Sequence, residues 1–494
     1  MEHYDLCVIG GGPSGYAAAM RAVDFDRSVL LLESDRIGGV GLYNGALSSK
    51  TFWELSKEIA QIRTRFAAYH EVLPEVHFGS ILKEVDEAVF ERSAQMEEHL
   101  RLIESEQKER FKFVRGSGCL VSPTEIEVRG DFDPFTVQAG HTIIATGSRP
   151  RKLLNVPIDE HIILTSDGIS SLRDFPKKLA IVGAGVIGCE FATIFSNFGK
   201  TSVHLVAKDD RILPFEDADL SAVIEQNMIA KRVVIHRNAR LDEMDIVNGR
   251  VAYKISHSDG TTEEFEAEKA LISIGRVPNI ENTGIRELGV DLDRGGAIDD
   301  QQTQTSISNI YAVGDITADI ALVNVGELEG RYAVERIFGQ PDRPLIYENI
   351  STIMFLDPEV AGVGINEQQA QKTGIAYRSA SFDFRCVPRA IAMRKTQGFF
   401  KILVSDDEEM RILGMRALGE HASTAIQAVS LLISMGRGIR ELAELIHPHP
   451  SIIEGIQECA RMLLGTSIYK PHLFPNHLRR RHWRGGEDAP PQPE

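Results

Sequence analysis

Cysteine is scarce in this 494-residue chain and never paired: Cys7, Cys119, Cys189, Cys386 and Cys459 stand far apart. That spacing suggests neither a zinc site nor a redox C-x-x-C, so no metal is expected, and an odd, scattered set fits a reducing cytoplasm. No apolar run approaches the roughly 18 residues of a membrane span. The strand-like Tyr4-Asp5-Leu6-Cys7-Val8-Ile9 at the start argues against a signal peptide. Basic charge is in the minority, 54 Lys and Arg against 71 Asp and Glu, and the net charge of -17 argues against a nucleic-acid partner. What remains is an ordinary globular composition, 43% hydrophobic and 25% charged, long enough for roughly three domains.

The first motif follows at once. Cys7-Val8-Ile9 runs into Gly10-Gly11-Gly12-Pro13-Ser14-Gly15, then an Ala-rich helix, then a second apolar strand, Ser28 to Leu32, ending on Glu33. This is a dinucleotide fingerprint in its full strand–helix–strand setting. Gly10 permits the tight turn, Gly12 lets backbone approach a pyrophosphate, and Gly15 lets the helix pack on the strand. Glu33 is placed to accept hydrogen bonds from a ribose. The pattern then repeats: Leu179-Ala180-Ile181-Val182 leads into Gly183-Ala184-Gly185-Val186-Ile187-Gly188, followed by Cys189-Glu190 and a helix to about Phe198. Two fingerprints in one chain imply two dinucleotides, a flavin and a nicotinamide. In the second unit the ribose acid is missing; Leu205-Val206-Ala207 ends on Lys208, which admits a 2′-phosphate, while Asp209 and Asp210 favour NAD, so both cofactors stay open.

Between and beyond these units, residues 50–110 read as mainly helical, with Leu82, Val85, Val89, Met96, Leu100 and Ile103 recurring at helical spacing. Thr142-Ile143-Ile144-Ala145-Thr146-Gly147-Ser148-Arg149-Pro150 is a strand closed by a Gly turn and a Pro, a natural crossing into another domain. Ala270 to Ile274 is a strand ending in Gly275-Arg276, and Ile310 to Val313 one ending in Gly314-Asp315. Residues 341–344 read as a linker, and residues 345–470 as a separate α+β domain. The tail, 471–494, carries Arg479-Arg480-Arg481-His482-Trp483-Arg484 and is expected to be disordered on composition, with docking to a partner as the alternative.

Together these blocks resemble the FAD-dependent pyridine nucleotide-disulfide oxidoreductases, the glutathione reductase and dihydrolipoamide dehydrogenase family, from about Tyr4 to Lys470. The run at residues 183–192 is especially similar to the soluble transhydrogenase branch. The resemblance implies an α/β architecture with two Rossmann-like dinucleotide-binding domains and a C-terminal α+β dimerisation domain. The expected division is FAD-binding over 1–150 and 275–344, NAD(P)-binding over 151–274 and dimerisation over 345–470. It implies that Gly10, Gly12, Gly15, Glu33, Gly39, Gly118, Gly147, Asp315 and Val323 hold FAD. Gly183, Gly185, Gly188, Gly275 and Arg276, with Lys208, would hold NAD or NADP. Lys50 and Glu190 would form an ion pair beside the flavin, where a cation stabilises negative charge. His449 and Glu454, five residues apart, match an acid–base pair that each subunit lends to the other, which implies a homodimer.

The chain departs from that family in one segment. Gly38-Gly39-Val40-Gly41-Leu42-Tyr43-Asn44-Gly45-Ala46-Leu47-Ser48-Ser49-Lys50 aligns with Gly-Gly-Thr-Cys-x-x-x-x-Cys-x-Pro-Ser-Lys, so Gly41 and Ala46 stand where the redox cysteines would be. Disulfide exchange needs a thiolate, and neither residue supplies one; Cys386 is the only loop cysteine that could substitute. The expectation is a cytoplasmic FAD enzyme passing hydride from NAD(P)H to a small non-disulfide acceptor, a quinone or a second pyridine nucleotide. Such an acceptor would use space vacated by the sulfurs. Two alternatives are a dihydrolipoamide dehydrogenase served by an outside thiol and a non-catalytic FAD-binding scaffold.

Overall fold

The computed structural model describes residues 1–66, 75–317 and 320–485. β1 (His3–Ile9) and β2 (Val29–Glu33) are parallel, and β2 is buried along its whole length, as a central strand covered on both faces must be. Between them α1 (Pro13–Asp24) begins on a proline, whose missing N–H costs nothing in a first turn, and buries Ala18, Ala19 and Ala22. α2 (Gly39–Tyr43), α3 (Ala46–Phe66) and α4 (Phe78–Gln107) follow, then β3 (Phe111–Arg115), β4 (Ser117–Ser122), β5 (Glu125–Gly130) and β6 (Phe132–Ile144). The sheet order is β3-β2-β1-β6-β5-β4. The first half of β6 pairs antiparallel with β5, and its second half parallel with β1.

The helical reading of residues 50–110 corresponds to α3 and α4; residues 67–74 lie outside the described residues. The apolar stripe of α4 does not face a single core. Phe78, Ile81 and Val85 pack with Phe195 and Phe198 of the second unit. Met96 and Leu100 pack with Leu6 and Leu31 of the first. Phe52 and Trp53 of α3 enter the same core as Phe195, so this helical pair fixes the two nucleotide-binding units against each other.

β7 (Ser148–Pro150) leads out of the first unit. The second contains β8 (Ile163–Leu164), β9 (Lys178–Val182), α5 (Val186–Phe198), β10 (Ser202–Val206), α6 (Ala218–Ala230) and β11 (Val234–His236). Then come β12 (Ala239–Val247), β13 (Arg250–His257), β14 (Thr262–Ala267) and β15 (Lys269–Ile272). Its parallel sheet runs β11-β10-β9-β15-β8, and β12-β13-β14 form an antiparallel sheet beside it. β16 (Arg276–Pro278) returns antiparallel along β7, and β17 (Ile310–Ala312) joins the first sheet parallel to β6. α7 (Val323–Phe338) then lies on α1, so close that a Cβ at Gly330 would sit 2.2 Å from the Ser14 carbonyl oxygen.

The C-terminal unit is an antiparallel sheet of β18 (Ser351–Met354), β19 (Val360–Gly364), β20 (Tyr377–Asp383), β21 (Phe399–Ser405), β22 (Ile412–Leu418) and β23 (Leu478–Trp483), in the order β18-β19-β22-β21-β20-β23. It is fastened to the second unit by buried charge. Lys401 Nζ lies 2.8 Å from Asp217, 2.7 Å from Asp219 and 3.0 Å from Glu367, while Arg416 pairs with Glu216 at 2.9 Å. Burial works against the Lys401 ammonium, yet its three carboxylates outweigh that and raise its pKa.

β23 corrects the expectation of a disordered tail over 471–494; residues 486–494 lie outside the described residues. Leu478 pairs with Phe382 and Trp483 with Tyr377, whose rings stack at 5.8 Å. Composition misled because the arginines were counted without their partners: Arg484 reaches Asp406 at 2.6 Å, and Arg481 lies 3.6 Å from Glu367. Arg378 on β20 adds a bond of 2.7 Å to Asp406. Burial opposes ionisation of Asp406, but Arg484, His482 and Arg378 prevail and hold its carboxyl well below the usual carboxylate range. A depressed folded pKa contributes stability that is complete above the unfolded value and is lost as pH falls through the folded one. Asp406→Asn is therefore expected to cost about 2 kcal/mol at neutral pH. The deficit should shrink steadily with acidification below about pH 4. Urea unfolding followed by tryptophan fluorescence across that range measures it, and a pH-independent deficit would contradict the account.

Candidate functional site

The two fingerprints fold alike. Gly10 and Gly183 adopt φ of +110° and +108°, and a Cβ at either would lie 2.3 Å from a carbonyl oxygen, of Ala145 and Ser273 respectively. At the third glycines, Gly15 and Gly188, a Cβ would sit 1.9 Å from the carbonyl of Gly10 and Gly183, so each helix rests directly on its strand turn. The second glycines, Gly12 and Gly185, are the opposite case: a Cβ there would meet nothing within 4 Å. Each therefore borders an open cradle at a helix N-terminus, the setting in which backbone N–H groups receive a phosphate. Glu33, at the end of β2, is buried and accepts from Gly11 N at 2.7 Å and Asp35 N at 2.8 Å. Lys208 follows β10 and is exposed, with Asp209 and Asp210 beside it.

The segment that departs from the family motif docks on the first fingerprint. Gly38 N donates to Gly11 O at 2.9 Å, and a Cβ at Gly39 would approach Gly12 Cα at 3.2 Å. Gly41 corrects the expectation of vacated space. A Cβ there would already be 2.8 Å from Pro13 Cγ and 3.5 Å from Val323 Cγ2, so the Pro13 ring has closed over this position. Open volume lies elsewhere on the segment: a cleft of about 130 Å³ lined by Tyr43, Asn44, Ser48 and Ser49, with Asp167 and Phe191 from the second unit. Burial raises the Asp167 carboxyl above its ordinary range, although Arg276 pulls it the other way.

Lys50 and Glu190 meet. Lys50 on α3 donates to Glu190 Oε2 on α5 at 3.0 Å and to Ser49 Oγ at 3.2 Å, with its ammonium 4.8 Å above the Phe355 ring. The other oxygen of Glu190 accepts from Phe355 N at 3.0 Å. The glutamate side chain is 7% exposed and the lysine 29%. Sequence reading named the pair but missed Phe355, which carries no motif and arrives from the C-terminal unit through the fold alone.

Next to the first fingerprint, where a Cβ at Gly314 would lie 2.2 Å from Ser14 Oγ, Asp315 accepts from Ser148 Oγ at 2.6 Å, and Ser148 Oγ in turn accepts from Arg276 Nε at 2.7 Å. Ser148 links two expected residues whose own charges meet only as a long ion pair of 3.9 Å; its place after Gly147 in Thr-Gly-Ser-Arg-Pro was the available signal. Val323 opens α7 beside Pro13 and Gly41. Gly118 is packed into the core, where a Cβ would press on Leu32 and Ile9.

His449 and Glu454 also meet, His449 Nδ1 lying 2.7 Å from Glu454 Oε1. Glu454 Oε2 accepts from Ser451 N at 2.8 Å, which fixes the carboxylate. The histidine side chain is 69% exposed in one protomer, so its other nitrogen is accessible.

All five cysteines are free, and burial raises the pKa of every one; the Cys7 thiol is pushed up to about 12. Cys386, the candidate substitute, is further disfavoured as a thiolate by Asp383.

Residues 4–330 match the pyridine nucleotide-disulphide oxidoreductase family, and residues 350–460 match the dimerisation domain of the same family, which supports a homodimer. Dihydrolipoyl dehydrogenase of Chlamydia muridarum is 33% identical over 95% of this chain and 99% of its own length. That of Geobacillus stearothermophilus is 32% identical over 94% of this chain and 97% of its own length. Among solved structures, LpdA from Mycobacterium tuberculosis superposes with a TM-score of 0.84 at 27% identity, covering 94% of this chain and all of that one. Among the described residues, no helix is long and apolar enough to cross a membrane. With its paired fingerprints, open glycine cradles and C-terminal dimerisation domain, the chain belongs to the pyridine nucleotide-disulphide oxidoreductases, the FAD flavoproteins that work with NAD or NADP.

Proposed function

We propose that this chain is a homodimeric NAD(P)H oxidoreductase that reduces a small non-disulfide acceptor, quinone-like in chemistry, through FAD. The observation that carries this reading is the intact Lys50–Glu190 ion pair beside a segment with Gly41 and Ala46 at the sulfur positions. FAD, when bound, supplies the two-electron carrier between nicotinamide and acceptor. The cradle at Gly12, with Glu33 and Asp315, fits its nucleotide portion, and the cradle at Gly185, with Arg276, fits the nicotinamide dinucleotide. Lys50 keeps a positive charge where negative charge develops, and Glu190 holds the lysine in place while its second oxygen is fixed by Phe355 N.

Electron exit by thiol exchange is unsupported on this side. Neither Gly41 nor Ala46 bears sulfur, and the five cysteines are held protonated by burial. Proton delivery is left to His449. With Nδ1 turned to Glu454, its Nε2 can give a proton to an acceptor oxygen in the partner subunit's site. The cleft at Tyr43, Asn44 and Ser48 is one place where a flat acceptor can reach this segment. Transfer to a second pyridine nucleotide is the other reading, supported by the open cradle at Gly185.

Stopped-flow reduction by NADH and by NADPH, then reoxidation by a benzoquinone, thio-NAD⁺ and lipoamide, tests the proposal. Rapid bleaching without a thiolate charge-transfer band and reoxidation by quinone are expected; reoxidation by lipoamide alone would sink it. Lys50→Met and Glu190→Gln should each slow bleaching by about 10²-fold, the loss typical of one charge-stabilising group. A scaffold role predicts no change in either. The glycines separate cradle from packing. Gly12→Ala should fold but lose bound flavin, and Gly185→Ala should keep flavin yet raise KM for the nucleotide at least about tenfold, near 1.4 kcal/mol. Gly188→Ala, forced against the Gly183 carbonyl, should fail to fold, as circular dichroism will report.

A further inference from the structure

A second constellation lies in the nicotinamide unit, apart from the residues discussed so far. His236 ends β11, His257 ends β13 and Glu263 lies on β14. One ligand atom from each falls within 4.8 Å of the other two. Register explains the convergence: Ile255 pairs with Glu263, so His257, two residues on, is the diagonal neighbour of Glu263 on the same sheet face. His236 is brought in from the parallel sheet, where it pairs with Val206 of β10 and its carbonyl accepts from Ala207 N at 2.8 Å.

We propose that His236, His257 and Glu263 form a binding site for a divalent transition-metal ion, with zinc as the best match. Two imidazoles and a carboxylate form a nitrogen–oxygen donor set of borderline softness, and solvent at the exposed Glu263 can complete a tetrahedron. Bonds of about 2.1 Å require tetrahedral ligand separations of about 3.4 Å. His257 and Glu263 already lie 2.8 Å apart, so closure requires both, the partly exposed imidazole and the exposed carboxylate, to turn toward His236. The outer contacts are those a metal-ligating histidine needs. His236 Nε2 lies 3.1 Å from Nδ1 of buried His204, which leaves Nδ1 of His236 for the ion. His257 Nδ1 faces the Arg237 carbonyl at 3.4 Å, and its Nε2 faces Glu263 Oε1 at 2.8 Å. The Phe265 ring packs edge-on against both His204 and His236, at 5.7 and 4.9 Å, and restrains their orientation. The ion would replace the His257–Glu263 ion pair and clip the antiparallel β12–β14 sheet to the edge strand of the parallel sheet.

The test uses the tag-free, full-length flavoprotein after removal of metal with EDTA. Equilibrium dialysis against ZnCl₂ should leave one zinc per chain, and the thermal midpoint should rise by several degrees. His257→Ala and Glu263→Gln, both away from the flavin and nucleotide residues, should bind zinc at least tenfold more weakly and lose the thermal shift while keeping their flavin. His161→Ala, which removes an exposed histidine outside the cluster, should behave as the parent. Absence of bound zinc in the parent, or equal zinc in the two cluster variants, would overturn the proposal; Co²⁺ substitution showing tetrahedral d–d bands in the parent and not in the variants would support it.

Discussion

One carboxylate joins all three parts of the molecule. Glu190 stands on the first helix of the second dinucleotide-fold unit, takes the Lys50 ammonium from the first unit with one oxygen, and takes the Phe355 amide from the C-terminal unit with the other. At 7% exposure such a group is costly unless both oxygens are satisfied, and here they are. The position of the Lys50–Glu190 pair is thereby tied to the packing of the whole chain. The surrounding core has the same character, since Trp53, Phe195 and Leu356 from the three units share one cluster.

Stability alone does not account for this pair. Apolar residues of similar volume commonly replace a buried ion pair without loss, and Phe355, Trp53 and Phe191 already provide an apolar setting. A lysine 29% exposed at this point gains little from the carboxylate. A fixed positive charge is instead useful where charge appears and disappears during turnover, which is why the pair supports the proposed chemistry. On the proposed reading, Gly41 and Ala46 would close only the thiol exit for electrons, since the Lys50–Glu190 pair does not depend on either residue.

Much of this was legible in the sequence because the fingerprints encode backbone requirements. A glycine at φ near +110°, or one whose Cβ would strike a carbonyl, permits no other residue, so Gly10, Gly15, Gly183 and Gly188 announce their own geometry. Ser148 and Phe355 were less visible, since their roles depend on a strand pairing and a domain contact formed far along the chain. The tail was misread for a related reason. Arg481 and Arg484 look like a solvated basic run until Glu367 and Asp406, some 80 to 110 positions earlier, are brought alongside. In the histidine–glutamate cluster His257 and Glu263 are six residues apart on neighbouring strands, but His236 comes from a strand of the other sheet, so no one motif contains all three.

The segment from Gly38 to Lys50 shows how far substitution can proceed within a fixed frame. Its ends are held by contacts that do not involve the sulfur positions: Gly38 and Gly39 by the first fingerprint, Ser49 by the Gly45 carbonyl, Lys50 by Glu190. Between those anchors Pro13 has settled over Gly41, so a cysteine reintroduced there would first have to displace a proline ring that also begins α1. The packing at Gly41 is set by the Pro13 ring. A side chain added at Gly41 would have to shift Pro13, whereas the anchors at Gly38, Gly39 and Lys50 hold the segment in place whatever stands between them.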